Sequence, residues 1–175
     1  MPFTRIPPGR LRRIAVPALV VYLLAWIPFL LVGEPDEMVR LQRAGSEANA
    51  REIVAAWSPS DTVDMAFLQG VDAVHLLTYG PLLAVGAVWA GRRLRGRLSA
   101  WSPVVAWMAV AASAFDALEN IGMIVMIRGD VDAPVPAVTT AFATAKFSMF
   151  FLLVPYVVTG VVAWLRRGTL TADPV

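Results

Sequence analysis

The chain has 175 residues, 58% of them hydrophobic and only 16% charged, with a formal net charge of +2 and no cysteine. Soluble domains run at about 45–50% apolar and about 25% charged, so an ordinary soluble domain is excluded, and the length leaves room for one helical membrane domain. The missing cysteine excludes a disulfide framework, a thiolate nucleophile and a Cys-ligated zinc site.

The first element is a span, Ile14–Gly33, preceded by Arg5, Arg10, Arg12 and Arg13. A bilayer takes roughly 20 apolar residues. The stretch lacks a small-x-small cleavage site and charges follow it directly, so it reads as an uncleaved span and not as a secretory signal. Residues 34–63 form an outer loop in which Met38, Leu41, Ile53, Val54 and Trp57 are set among charges. Arg43–Glu47 and Glu47–Arg51 are i,i+4 pairs. The loop is read as a short amphipathic helix, or two broken at Gly45, acting as a connector or, on the sharper reading, as a lid. Asp61 reads as the cap of the next helix, with Asp64 three residues on in the manner of a capping box.

The second span covers residues 64–90. GRRLRGR follows, with Arg92, Arg93, Arg95 and Arg97, and then a third span over residues 101–127. RGDVDAPVP is a short, proline-stopped loop, and its RGD has no adhesive context. The fourth span covers residues 137–165, with Arg166 and Arg167 beyond it. With four spans, the three arginine-rich places share one side, ten residues against Arg40, Arg43, Arg51 and Arg128 on the other. The positive-inside rule then puts both termini in the cytoplasm. Trp57 at one interface, and Trp89, Trp101 and Trp164 at the other, fall where an aromatic belt belongs. The expected fold is all-α, a polytopic four-helix bundle forming a single transmembrane domain over residues 1–175. Its Arg-over-Lys, Ala/Val-rich composition fits the plasma membrane of a bacterium.

Inside the spans lie groups that a bilayer does not tolerate without reason. Gln69, Asp72, His75 and Tyr79 share an arc of about 120° on the second span, and Ser113, Asp116, Glu119 and Asn120 do so on the third. The fourth carries Lys146, the only lysine in the chain, and the first carries no charge. Counted at about 1.5 Å per residue, Asp72, Glu119 and Lys146 lie ~12–13 Å below the outer ends of their spans, and His75 and Asp116 ~16–18 Å below. Tyr79 and Ser113 come deeper still. Intramembrane charges cost a few kcal/mol each and face an interior or a wet cavity. Three acids stand against one fixed cation, with His75 able to supply a second, so an acid must carry a proton or a cation must be bound. A carboxylate pair sharing a proton has one raised pKa, as acid–base chemistry requires. Asp116 and Glu119 are the expected pair, with Asp72 and His75 opposite, Lys146 as counter-ion, and Asn120 orienting a carboxylate. Gln69, Tyr79 and Ser113 complete the binding set. The bland alternative is that these side chains are glue between helices. No motif implies a cofactor, a lone His is a poor zinc site, and the arginines beside the spans do not imply nucleic acid. A proton or cation path in a homo-oligomer is a further alternative, opposed by the apolar inner halves of spans two and three.

Four spans, cytoplasmic termini, a helical outer loop after span one and inward-facing ionisable residues resemble the EXPERA group, to which the sigma-2 receptor and a sterol isomerase belong. YLLAWIPFLLVGE in span one and FLLVPYVV in span four are similar in kind to that group's patterns. The resemblance implies binding or isomerising a sterol-like or isoprenoid ligand, with an acid protonating an alkene and a membrane lipid or hydrophobic small molecule as partner. DALEN has no counterpart there; it resembles a motif of small bacterial membrane proteins and implies no function.

Overall fold

The structure, a computed structural model, describes residues 7–32 and 35–170. Arg5, Gly33 and Glu34 lie outside the described residues, as do the side chains of Arg12 and Arg167. The described residues form helices only: α1 (Pro8–Val32), α2 (Pro35–Gln42), α3 (Glu47–Ala55), α4 (Pro59–Gly91), α5 (Arg97–Ala100), α6 (Ser102–Ile127) and α7 (Val135–Leu170). Four of them, α1, α4, α6 and α7, are long and apolar enough to cross a membrane. They correspond to the four expected spans, each with somewhat different ends.

The start of α4 differs from the expectation by one turn. Ser58 is the N-cap; its hydroxyl accepts from the Asp61 amide at 3.2 Å and the Asp61 carboxylate accepts from the Ser58 amide at 2.8 Å. Asp61 is therefore the third residue of the box and not its cap. Pro59 explains the shift, since its fixed φ and missing N–H suit the first helical position.

α4 is the hub. It packs against α1, α6 and α7, while α6 also packs against α7; the principal contact of α1 is α4. The α4–α7 approach is very close at Gly160, where an added Cβ would lie 2.3 Å from Ala90 Cβ and 2.6 Å from its Cα. Only a residue without a side chain fits there.

The outer loop folds as two helices broken at Gly45, whose φ of +69° suits glycine. The break falls between Arg43 and Glu47, so that expected pair does not form; Glu47–Arg51 does, at 2.9 Å. The loop is docked rather than loose. Gly45 N donates to Thr140 Oγ1 at 3.0 Å, and Thr140 Oγ1 donates to the Gln42 carbonyl at 2.8 Å. Arg51 reaches Asp132 at 2.8 Å. Beneath this cap Met38, Leu41 and Ile53 pack with Phe29, Met65, Leu68, Met123 and Met126. A second apolar cluster, at the other end, joins Ala84, Ala87 and Val88 of α4 to Val105, Ala106 and Ala109 of α6 and to Leu153 and Tyr156 of α7. The polar residues of the spans lie between these two layers.

Candidate functional site

α4 and α6 run antiparallel in a register set by two side-chain bonds. Tyr79 OH donates to Asp116 Oδ2 at 2.6 Å, and Asn120 Nδ2 donates to Asp72 Oδ2 at 2.9 Å. From α7, Lys146 Nζ donates to Asp116 Oδ1 at 2.7 Å. The same ammonium lies 2.7 Å from Glu119 Oε2, a close ion pair without the alignment of a hydrogen bond. The group is withdrawn from the surface: Glu119 is 0% exposed, Asp116 2%, Lys146 5% and Asn120 5%. Two surface cavities, of about 400 and 240 Å³, lie at the cap, and neither includes a residue of this cluster.

Six of the nine candidate residues are thus brought into two bonded sets: Tyr79, Asp116, Lys146 and Glu119 form one, and Asp72 with Asn120 the other, the two adjoining where Glu119 and Asn120 follow each other on α6. Lys146 meets Glu119, expected at its own depth, and Asp116, expected deeper. Its long side chain spans Asp116 and Glu119, which are one helical turn apart, and Asp72 is bonded to Asn120 instead. Asp116 and Glu119 meet through the Lys146 ammonium and not by a direct hydrogen bond.

The other three candidates are engaged differently, although Ser113 lies beside Tyr79. His75, expected opposite the acid pair, turns its ring to α1, with the rings of Tyr22, Trp26 and Phe29 each 5.2 Å from it, centroid to centroid. Ser113 spends its hydroxyl on the Ala109 carbonyl of its own helix, at 3.2 Å. Gln69 is 2% exposed, and neither its Oε1 nor its Nε2 has a hydrogen-bond partner among the described residues. His75 Nε2, Glu119 Oε1 and Asn120 Oδ1 are likewise buried without a hydrogen bond, and Glu119 Oε2 has its Lys146 ion pair alone. A buried polar atom left without any partner costs about 1–3 kcal/mol.

Tyr22, Trp26 and Phe29 are the residues that the sequence reading missed. Their i, i+4, i+7 spacing puts them on one face of α1. In a span without a charge, that spacing alone does not separate an aromatic face from packing toward lipid.

Chemically, the arrangement holds three carboxylates, two of them buried, and one buried ammonium between two apolar layers, where effective dielectric is low and charge balance is demanding. The four long apolar helices mark the chain as a multi-pass membrane protein. Comparison with protein families, with curated proteins and with solved structures gives no match.

Proposed function

We propose that this protein is a four-helix bundle of a bacterial plasma membrane, with both termini cytoplasmic, whose polar layer is an acid–base site for a hydrophobic ligand of the isoprenoid or sterol-like class. The observation that carries the reading is the meeting of buried Asp116 and Glu119 on a single buried cation, Lys146, with a third, half-buried carboxylate, Asp72, bonded to the adjoining Asn120. One lysine does not balance three carboxylates, so the site holds at least one exchangeable proton or its equivalent. In this reading Asp116 and Glu119 exchange the proton, Lys146 holds their shared charge, Tyr79 fixes Asp116 and Asn120 fixes Asp72. A protonated carboxyl gives its proton to one carbon of a ligand double bond. The other carbon becomes cationic, a neighbouring carboxylate removes a proton from the carbon beyond it, the C–H pair forms the new double bond one position along, and the site ends with the protons it began with. The ligand reaches the layer from the lipid along α1, whose principal contact is α4.

A second reading is favoured by a specific observation: each of these polar bonds crosses between helices, α4 to α6 or α6 to α7. That is also what glue does. Lipid-resolved native mass spectrometry separates the two. The wild type is compared with Asp116→Asn/Glu119→Gln at equal thermal stability. A defined lipid kept by the wild type and lost from the variant supports the acid–base site. No retained lipid, with a variant that cannot be made equally stable, leaves glue.

A further inference from the structure

Six buried side-chain atoms in the polar layer make no hydrogen bond among the described residues: Gln69 Oε1 and Nε2, His75 Nε2, Glu119 Oε1 and Oε2, and Asn120 Oδ1. Buried polar groups in native proteins almost always have a partner, from the protein or from something bound. In the middle of a membrane there is no bulk water to supply one. Four of the six atoms are oxygens, and they are acceptors; Gln69 Nε2 is the only obligate donor among them.

Their placement is defined by the α4–α6 register. Gln69 stands one turn before Asp72, next to Leu68, which packs with Met123 and Met126 of α6. Asn120 gives its amide hydrogen to Asp72 Oδ2, which leaves its own oxygen free, and Glu119 is its neighbour in sequence. Gln69 and Asp72, three residues apart on α4, share a helix face, and Asn120, bonded to Asp72, and the buried Glu119 follow each other on α6, so this stretch of the α4–α6 contact is rich in oxygen and poor in donors. Its charge is unbalanced as well. With Lys146 paired to Asp116 and Glu119, the three ionised carboxylates still leave two negative charges.

We propose that this stretch binds a monovalent alkali cation, held by the carboxylates of Asp72 and Glu119 and the amide oxygens of Gln69 and Asn120. Hard cations take oxygen ligands, and divalent ones want a larger or more regular oxygen shell. Among the described residues no three of the His, Cys, Asp and Glu type converge as a metal-ligand group. A set of two carboxylates and two amides suits a singly charged ion. The ion lies on the Gln69 side of Glu119, away from the Lys146 ammonium, and a single exchangeable proton then completes the charge balance. The inference goes beyond the acid–base reading and needs no lipid ligand.

The test uses the full chain purified in detergent, at constant pH and ionic strength. Thermal unfolding is followed while N-methylglucamine chloride is replaced stepwise by NaCl or KCl, and equilibrium dialysis counts bound ²²Na⁺. The expected result is a saturable rise in Tm and about one ion per chain. Gln69→Leu, which removes an amide with no partner in the chain, weakens the apparent affinity tenfold or more, and Asp72→Asn does the same. Absence of saturable binding by the wild type, with a Tm indifferent to the cation, overturns the proposal and leaves the stretch to water. Undiminished binding by Gln69→Leu also overturns it, because the ion then sits elsewhere. Should Asp72→Asn fail to fold, Gln69→Leu decides alone; should both fail, the wild-type dialysis decides. A lipid lost in the Asp116→Asn/Glu119→Gln comparison has no bearing on this outcome, so the two ideas fail separately.

Discussion

Lys146 touches two carboxylates of α6 at 2.7 Å each, and both are buried. Removing one partner of a buried ion pair costs about 3–5 kcal/mol, because the remaining charge stays buried and uncompensated. Lys146→Met is therefore expected to lower the Tm in detergent sharply at neutral pH. Adding Asp116→Asn is expected to restore part of the loss, since it removes one of the stranded charges; a thermal-unfolding cycle of the two singles and the double checks the sign of that coupling. Tyr79→Phe is a gentler probe. It deletes the 2.6 Å donation to Asp116 without opening a cavity and is expected to cost about 1.5–3 kcal/mol, the range for a hydrogen bond to a charged group. The residues of this cluster were legible in the sequence because a charge in a span must face inward, and the arcs of the second and third spans pointed Asp72, Asp116, Glu119 and Asn120 the same way. Periodicity gives a face and not a neighbour. His75 shares an arc with Asp72, but its ring found the aromatic face of α1, a choice that turns on which helix lies alongside.

Whole elements are held by features of a different kind. Gly160 lets α7 meet α4 with Ala90 backbone in direct contact, so Gly160→Val has nowhere to put its side chain. Overpacking costs typically 1–3 kcal/mol; the expected outcome is a lower Tm with the helix content by circular dichroism unchanged. The cap of α2 and α3 is tied down by charge. The Trp57 indole N–H, donating to Glu37 at 3.2 Å, holds that carboxyl below its usual range, with help from Arg40. The Arg51 side chain and then the Ala133 amide do the same for Glu47. A carboxylate whose folded pKa is depressed contributes stability above its unfolded value, about 4.3 for Glu, and the contribution is lost as pH falls through the folded value. Hydrogen exchange over residues 36–55, corrected for intrinsic rates, is thus expected to show constant protection from pH 8 to 6 and a loss below about pH 4. Both carboxyls are near the surface, so the change is modest. The break at Gly45 was legible from one residue. The docking of the cap was not, because its partners, Thr140 and Asp132, are 95 and 81 residues away from Gly45 and Arg51, and such contacts carry no periodic signature.

Across the whole molecule the charges are sorted by end. Apart from the three acids of the polar layer and Asp173 near the C-terminus, every Asp and Glu lies in the cap, in the loops beside it or, for Asp61 and Asp64, in the first turns of α4, whereas ten of the fourteen arginines gather at or before the first turns of α1, between α4 and α6, and in the last turns of α7. The positive-inside rule turns that sorting into an orientation. A chain without cysteine makes the orientation measurable, because every introduced thiol is a unique reporter. Ala48 on the cap and Leu98 at the arginine-rich end are both exposed. In intact cells a membrane-impermeant maleimide is expected to label Ala48→Cys, and to label Leu98→Cys only after permeabilisation. The opposite pattern would reverse the proposed topology, and labelling of both without permeabilisation would deny that α4 crosses. The result also fixes which compartment the polar layer answers to. Asp72 lies ~20 Å from the cap end of α4 and ~29 Å from its other end, and Glu119 ~12 Å against ~26 Å along α6. With Ala48 outside, protons and cations have the shorter route from the external face through the cap, and external pH and salt, rather than cytoplasmic ones, are the variables to which the site should respond.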